Sequence, residues 1–406
     1  MTQSVLIIEP GFSLLALLPA AKALGLRVVV FSADKEDRSI PAAYRGYIDE
    51  FQVLETSDQD LLISAAKKLK SINAVVPGSE YHVPMAAFVA RSLGLLHIPT
   101  ESVLNLRNKY SIRETLAKTA LRSVKYLKAS DTKEFDQKIN RLNFPVVVKP
   151  VTAAGSAFVK KCENSIEAKE QFELIKKSNW GEMGYSINGD VIIEEYIGGN
   201  EFSVEGFVNS NGPQIISITE KFKSDEPYFV EMGHIVEAQL DENLRTSIVN
   251  YINKIIPALG VNLGVFHAEI KVDNQGPVLI EIAGRLPGDR IVDLIKLAKG
   301  VDLAEIMLRS HLGEQIQVDL APQTACAFIQ YFALDEAGKY ESIEGLEELK
   351  KMPGFKEFKI NILPGVHIPR LTSFEERLAY CIFTAESYFE AKSKMQELKC
   401  LIRFRA

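Results

Sequence analysis

Apolar and polar positions along the first hundred residues alternate between short apolar runs and longer amphipathic ones. Residues 4–8 (Ser-Val-Leu-Ile-Ile) are continuously apolar after the serine, as expected of a strand covered on both faces. A turn, Glu9-Pro10-Gly11-Phe12-Ser13, precedes a predicted helix over 14–24 stopped by Gly25. Strands are predicted at 27–31 and 74–77, and helices at 58–69 and 84–93, the last stopped by Gly94. Strand–helix alternation of this kind predicts a parallel sheet with helices on both faces.

From about residue 105 the texture changes. Helices are predicted at 109–120, 165–176, 242–259 and 387–398, and strands at 144–150, 191–197 and 201–208. This pattern predicts an α+β block with antiparallel strands. The expected domains are 1–104, 105–315, and 316–406 as a closing segment of short strands and a final helix. No repeat or low-complexity stretch interrupts them.

The run 264–272 (Gly-Val-Phe-His-Ala-Glu-Ile-Lys-Val) and the run 278–285 (Val-Leu-Ile-Glu-Ile-Ala-Gly-Arg) both alternate, with an Asn/Gly turn between them. On the first strand Val265, His267, Glu269 and Lys271 share a face. On the second, Leu279, Glu281, Ala283 and Arg285 are expected to share one. A hairpin centred on Gln275 sets Glu269 opposite Glu281. Two carboxylates opposed on one sheet face repel unless a positive charge lies between them. Mg²⁺, with Mn²⁺ as a substitute, suits such oxygens. An even, regular loop would break the pair, so an odd loop or a bulge is predicted.

Composition narrows the partners. The net charge of −6 carries no nucleic-acid footprint. Cys162, Cys326, Cys381 and Cys400 have no paired spacing, which fits a reducing, cytoplasmic setting. The apolar N-terminus, interrupted by Glu9, Pro10 and Gly11, is not expected to act as a signal peptide, and no apolar run approaches the length of a membrane span. The turn at 9–13 lacks the glycine fingerprint of a dinucleotide site.

Several positions are candidates for chemistry, each with a plainer alternative. Small residues in the loop Thr152-Ala153-Ala154-Gly155-Ser156 would let backbone N–H groups approach phosphate, or simply make a flexible connection. Lys149 at a strand end more often snorkels to the surface, and Lys109 more often serves as a solvated helix charge. The segment 194–197, with Glu201 after it, could offer backbone to a purine and a carboxylate to a ribose, or be a hairpin with polar tips. Arg285, four residues after Glu281, suits developing phosphoryl charge, or a plain ion pair with that glutamate. Glu231 to His234 read as a loop, and Glu80 stands at the C-terminal end of a parallel strand, where open α/β sheets bind ligands.

In their order and spacing, Lys109, the stretch 146–156, the hinge 194–197 with Glu201, and Glu269…Glu281…Arg285 resemble the ATP-grasp superfamily of carboxylate–amine ligases. The stretches HAEIK…LIEIAGRLPGDRI and FVEMGHIV look closest to its dipeptide-forming amino-acid ligases. The resemblance implies a biotin-carboxylase-like N-terminal domain, an ATP-grasp core with a mobile lid at about 118–194, and a C-terminal closing segment. It implies that Lys109, Lys149, Gly155, Ser156, Glu194, Tyr196, Ile197 and Glu201 bind ATP and that Glu269 and Glu281 hold Mg²⁺. It also implies that Arg285 stabilises the acyl phosphate and that Glu80, Glu231, His234 and Gly288 lie near small carboxylate and amine substrates, expected to be amino acids. The expected assembly is a homodimer without nucleic-acid or membrane partners. One departure is Ala283, where many members carry an asparagine ligand, leaving a second ion fewer side-chain ligands. A purine-pathway or biotin-carboxylase-like enzyme and a non-catalytic ATP-binding module are the competing readings.

Overall fold

The computed structural model describes residues 2–33, 40–178, 181–182, 185–186, 189–318 and 325–405. Parts of the predicted N-terminal domain (34–39), lid (179–180, 183–184, 187–188) and closing segment (319–324, 406) lie outside the described residues.

The N-terminal sheet is parallel, in the order Glu50–Val53, Arg27–Ser32, Ser4–Ile8, Ala74–Pro77. Apart from the partly exposed edge strand Glu50–Val53, its strands bury both faces, and successive residues feed two different cores. Val5, Ile7, Val28 and Val30 pack with the helix Leu17–Ala23, while Leu6, Ile8, Val29 and Phe31 pack with Leu62 and Val89. That division is the period-2 pleat at work. The predicted helix at 14–24 opens as a 3₁₀ turn, Phe12–Ala16, and ends before Gly25, whose φ of 70° is the left-handed conformation of a helix stop.

A small antiparallel sheet follows, in the order Tyr126–Ala129, Val191–Glu195, Val146–Pro150, Lys160–Cys162. Leu127, Val146, Val148, Val191 and Ile193 pack against Phe135 and Phe172 of the helices behind it. Lys149 and Glu194, each one residue out of phase with these, therefore face the opposite way, toward the rest of the molecule.

The large sheet has eight antiparallel strands: Gly276–Ala283, Gly264–Asp273, Asn200–Asn209, Gly212–Lys223, Glu231–Val236, Cys326–Phe332, Ala379–Ala385 and Phe355–Ile360. Phe202, Val204, Phe266, Ala268 and Ile270 bury one face against Ile248, Ile252 and Ile255 of the helix Glu242–Ala258. The polar residues between them line the other face. Glu231 to His234, expected in a loop, lie in a strand, because the alternation of Met232 and His234 continues into the buried Ile235 and Val236. The C-terminal strands Cys326–Phe332, Ala379–Ala385 and Phe355–Ile360 belong to this same sheet, with the helix Tyr388–Leu401 packed over them, while Ser342–Glu344 and Arg403–Arg405 pair with each other.

A candidate active site between the sheets

The paired carboxylates are set by a bulge. The turn is two residues long, since Asp273 pairs with Gly276, and the regular register continues to Ile270 opposite Leu279. Glu269 then pairs with Glu281, which leaves Ile280 as the extra residue. The bulge restores the opposition that an even turn would have broken. It also corrects one expectation: Leu279 turns away from Glu281 to join Ile270 and Ile282 in the core. The Ile280 carbonyl, released from the ladder, accepts a hydrogen bond from Arg113 Nη2 at 2.8 Å.

Cations occupy the space around both glutamates. Lys221 Nζ is 2.6 Å from Glu269, 3.8 Å from Glu201, and bonded to Glu231. Burial pushes the Lys221 ammonium down, but the three carboxylates outweigh it and hold it well above its ordinary value. Lys109 Nζ reaches Glu281 at 3.1 Å and donates to the Ala153 carbonyl at 2.6 Å. The register sets Glu269 opposite Glu281, and the Glu269 carboxylate also converges with those of Glu201 and Glu231, so hard anionic oxygens suited to a divalent cation such as Mg²⁺ gather here. His267 faces Ala283 across the strands and lies between two glutamates, 3.0 Å from Glu205 and 3.3 Å from Glu269. Burial disfavours its charge, but these carboxylates push its pKa up to about 9.

Neither lysine is solvated, contrary to the plainer readings. Lys109 and Lys149 are 6% and 4% exposed. Lys149 pairs with Glu194 at 2.7 Å, and Arg113 Nε reaches the other oxygen of the same carboxylate at 2.7 Å. Glu194 thus spends its side chain on two buried cations. Tyr196 and Ile197 lie beyond the end of the strand. The Tyr196 hydroxyl donates to Glu226 at 2.8 Å, its ring lies under Lys161 and Lys271, each 4.6 Å away, and the Ile197 carbonyl accepts from Lys271 at 2.9 Å. Glu201 is buried, 2.6 Å from Lys223 in an ion pair without hydrogen-bond alignment. Gly199, at φ 84°, cannot take a side chain because a Cβ would collide with the Val272 carbonyl.

Arg285 lies past the strand end at Ala283, and its partner is Glu80, not Glu281. Arg107 binds the other Glu80 oxygen at 2.5 Å. Burial pushes the Glu80 carboxyl up, but the two guanidinium groups more than reverse this and hold it at about 2. In the small-residue loop, Gly155 (φ 63°) and Ser156 (φ 59°) both adopt left-handed backbone, and a Cβ on Gly155 would come within 2.6 Å of the Phe374 ring. His234 Nε2 is 3.1 Å from Asp289 and 3.5 Å from Glu231, and Asp289 accepts two hydrogen bonds from Arg377, each 2.7 Å. Gly288 immediately precedes Asp289.

The structure therefore groups Lys109, Glu269, Glu281, Glu201 and Glu231 around one polar sheet face, and sets Glu80 and Arg285 beside it. Sequence reading missed Lys221, Arg107, Arg113, Asp289 and Arg377. Only Lys221 carried a local signal, alternating with Ile216, Ile218 and Phe222 along the strand Gly212–Lys223. The others find their partners across long sequence separations.

Residues 142–293 match the ATP-grasp domain family, and residues 330–406 match the L-amino acid ligase C-terminal domain 2 family. The protein y4rH of Sinorhizobium fredii is 25% identical over 380 residues, covering 93% of this chain and 77% of that one. Dapdiamide A synthase of Enterobacter agglomerans is 31% identical over 223 residues, covering 54% of this chain and about half (51%) of that enzyme. An L-amino acid ligase structure from Bacillus licheniformis superposes with a TM-score of 0.84 at 22% identity, covering 99% of this chain and 98% of the other; this likeness concerns the fold. Among the described residues, no helix is long and apolar enough to cross a membrane.

Proposed function

We propose that the chain is an ATP-grasp carboxylate–amine ligase that uses ATP and Mg²⁺ to join an amino-acid carboxylate to an amine, releasing ADP and phosphate, a reading supported by the ATP-grasp match over 142–293 and the L-amino acid ligase C-terminal match over 330–406. The observation that carries this reading is the register pair Glu269–Glu281 with Lys109 against it and Arg285 nearby. Bound between those glutamates, a divalent cation would neutralise phosphate charge.

The chain's own residues then divide the work. Lys109 and Lys149 bind phosphate oxygens, with Gly155 and Ser156 closing over them through backbone. Glu194, Tyr196 and Ile197 line the base, and Glu201 accepts from the ribose hydroxyls. The small sheet serves as the lid. A substrate carboxylate oxygen attacks the γ-phosphorus and ADP leaves. The amine nitrogen then attacks the acyl carbon, the carbon–oxygen bond to phosphate breaks, and the amine loses a proton. Arg285 faces the charge that develops on the acyl phosphate and the tetrahedral intermediate. Glu80, Glu231, His234 and Gly288 orient the substrates, and positioning supplies most of the rate.

The test is phosphate release from ATP and Mg²⁺ against pairs of amino acids, with mass spectrometry of the products. Amino-acid-dependent release with a new amide mass supports the reading. No amide with any pair, despite tight ATP binding, would sink it in favour of bicarbonate, a phosphorylated substrate or a non-catalytic role.

A further inference from the structure

Three sheets meet at one carboxylate. Glu80 leaves the N-terminal sheet just after Ala74–Pro77, and its two oxygens accept from Arg107 and from Arg285, which follows the large sheet's edge strand. Arg107 directly follows the helix Thr100–Leu106, and its Nη2 donates to the Thr152 carbonyl at 2.9 Å, in the loop after the small sheet's Val146–Pro150. Two residues on, Lys109 holds the next carbonyl of that loop, Ala153. All three side chains of the node are largely buried: Arg107 12% exposed, Glu80 11% and Arg285 15%. A guanidinium is a rigid planar fork, so the orientation that serves Thr152 fixes the one that serves Glu80. Three cations (Arg107, Arg285, Lys109) face two carboxylates (Glu80, Glu281), which leaves one positive charge in surplus where an anion is expected.

We infer that Arg107 is a positioning residue that couples the seating of the 152–156 loop to the orientation of Arg285. This rests on the ligase reading above. When the loop lifts, the Thr152 carbonyl leaves Arg107, and the fork no longer fixes Glu80. Arg285, which Glu80 holds by its other oxygen, then loses its alignment. The acyl phosphate is stabilised only while the loop excludes water, which protects it from hydrolysis. An ion pair that merely stabilised the fold would not show this link.

The experiment compares Arg107→Lys, Arg107→Met, Glu80→Gln and the Arg107→Met/Glu80→Gln double variant. Nucleotide binding, phosphate release and amide formation are measured side by side. Arg107→Met is expected to bind ATP with near-normal affinity and to form amide about 10²-fold more slowly. Its phosphate released per amide should rise severalfold, as water takes the acyl phosphate. The double variant should be no worse than Arg107→Met, because both changes cut the same connection. Arg107→Lys keeps the charge but not the fork, and decides the matter should Arg107→Met fail to fold: it should fold and still lose coupling. One phosphate per amide in Arg107→Lys, or additive single and double effects, would overturn the inference. Amide formation absent from the unmodified protein would instead sink the ligase reading, and this inference with it.

Discussion

Glu194→Gln is expected to destabilise the small sheet by about 3 kcal/mol at neutral pH, and two routes lead to that figure. The Glu194 carboxyl is buried, which pushes its pKa up, yet Arg113 and Lys149 together hold it at about 2 against an ordinary 4.5. That difference corresponds to about 3 kcal/mol of preference for the charged form in the folded state. Independently, the amide would leave the buried Arg113 and Lys149 side chains without a compensating charge. Removing one partner from such a group costs about 3–5 kcal/mol. The pH dependence has a fixed sign. The folded-state pKa lies below the unfolded one, so the stabilisation is present above pH 4.5 and is lost as pH falls toward 2. Urea unfolding of both proteins at neutral and acidic pH measures the gap, and hydrogen exchange across Val191–Glu195 locates it. A gap below about 1 kcal/mol at neutral pH, or one that does not shrink below pH 4.5, would refute the reasoning.

Other perturbations test other links. Gly199→Ala should destabilise by at least about 1–2 kcal/mol from its positive φ alone, before the collision with Val272, readable as a lower thermal midpoint. Glu281→Gln and Glu269→Gln should each weaken Mn²⁺ binding, followed by electron paramagnetic resonance of the free ion, at least tenfold, a loss of about 1.4 kcal/mol. Ala283→Asn adds an oxygen ligand beside Glu281 and should tighten the same binding; unchanged affinity would place the ion elsewhere. Arg377→Met strips Asp289 of a bidentate partner and should raise the Asp289 carboxyl from well below the usual carboxylate range back toward it, visible by carbon-13 NMR of that carboxyl.

The strands at 4–8, 27–31 and 74–77 followed from apolar runs between glycine and proline stops, because a doubly covered strand needs nothing beyond apolar side chains. The carboxylate hairpin was legible because period-2 alternation assigns faces within a strand. Its bulge was inferred only as a requirement of register. Which residue bulged, and hence which way Leu279 turned, depended on how the core behind the sheet accepted Ile270, Leu279 and Ile282. The loop expectation for 231–234 failed for the same kind of reason. Glu231 and His234 are polar in sequence, but inside the sheet Lys221 pairs with the Glu231 carboxylate, Asp289 with His234, and Arg377 donates to the Glu231 carbonyl.

Sequence by itself determined most of the elements, the parallel and antiparallel blocks, and residue types whose chemistry suits phosphate and metal. It could not determine burial of a charge, because a charge is buried only where another segment brings its counterpart. Lys109 and Glu281 lie 172 positions apart, Arg285 and Glu80 205, and Arg113 and Glu194 81. Local pattern carries no information at those separations, and the Coulomb and hydrogen-bond terms that fix these groups exist only once the three sheets have closed around them.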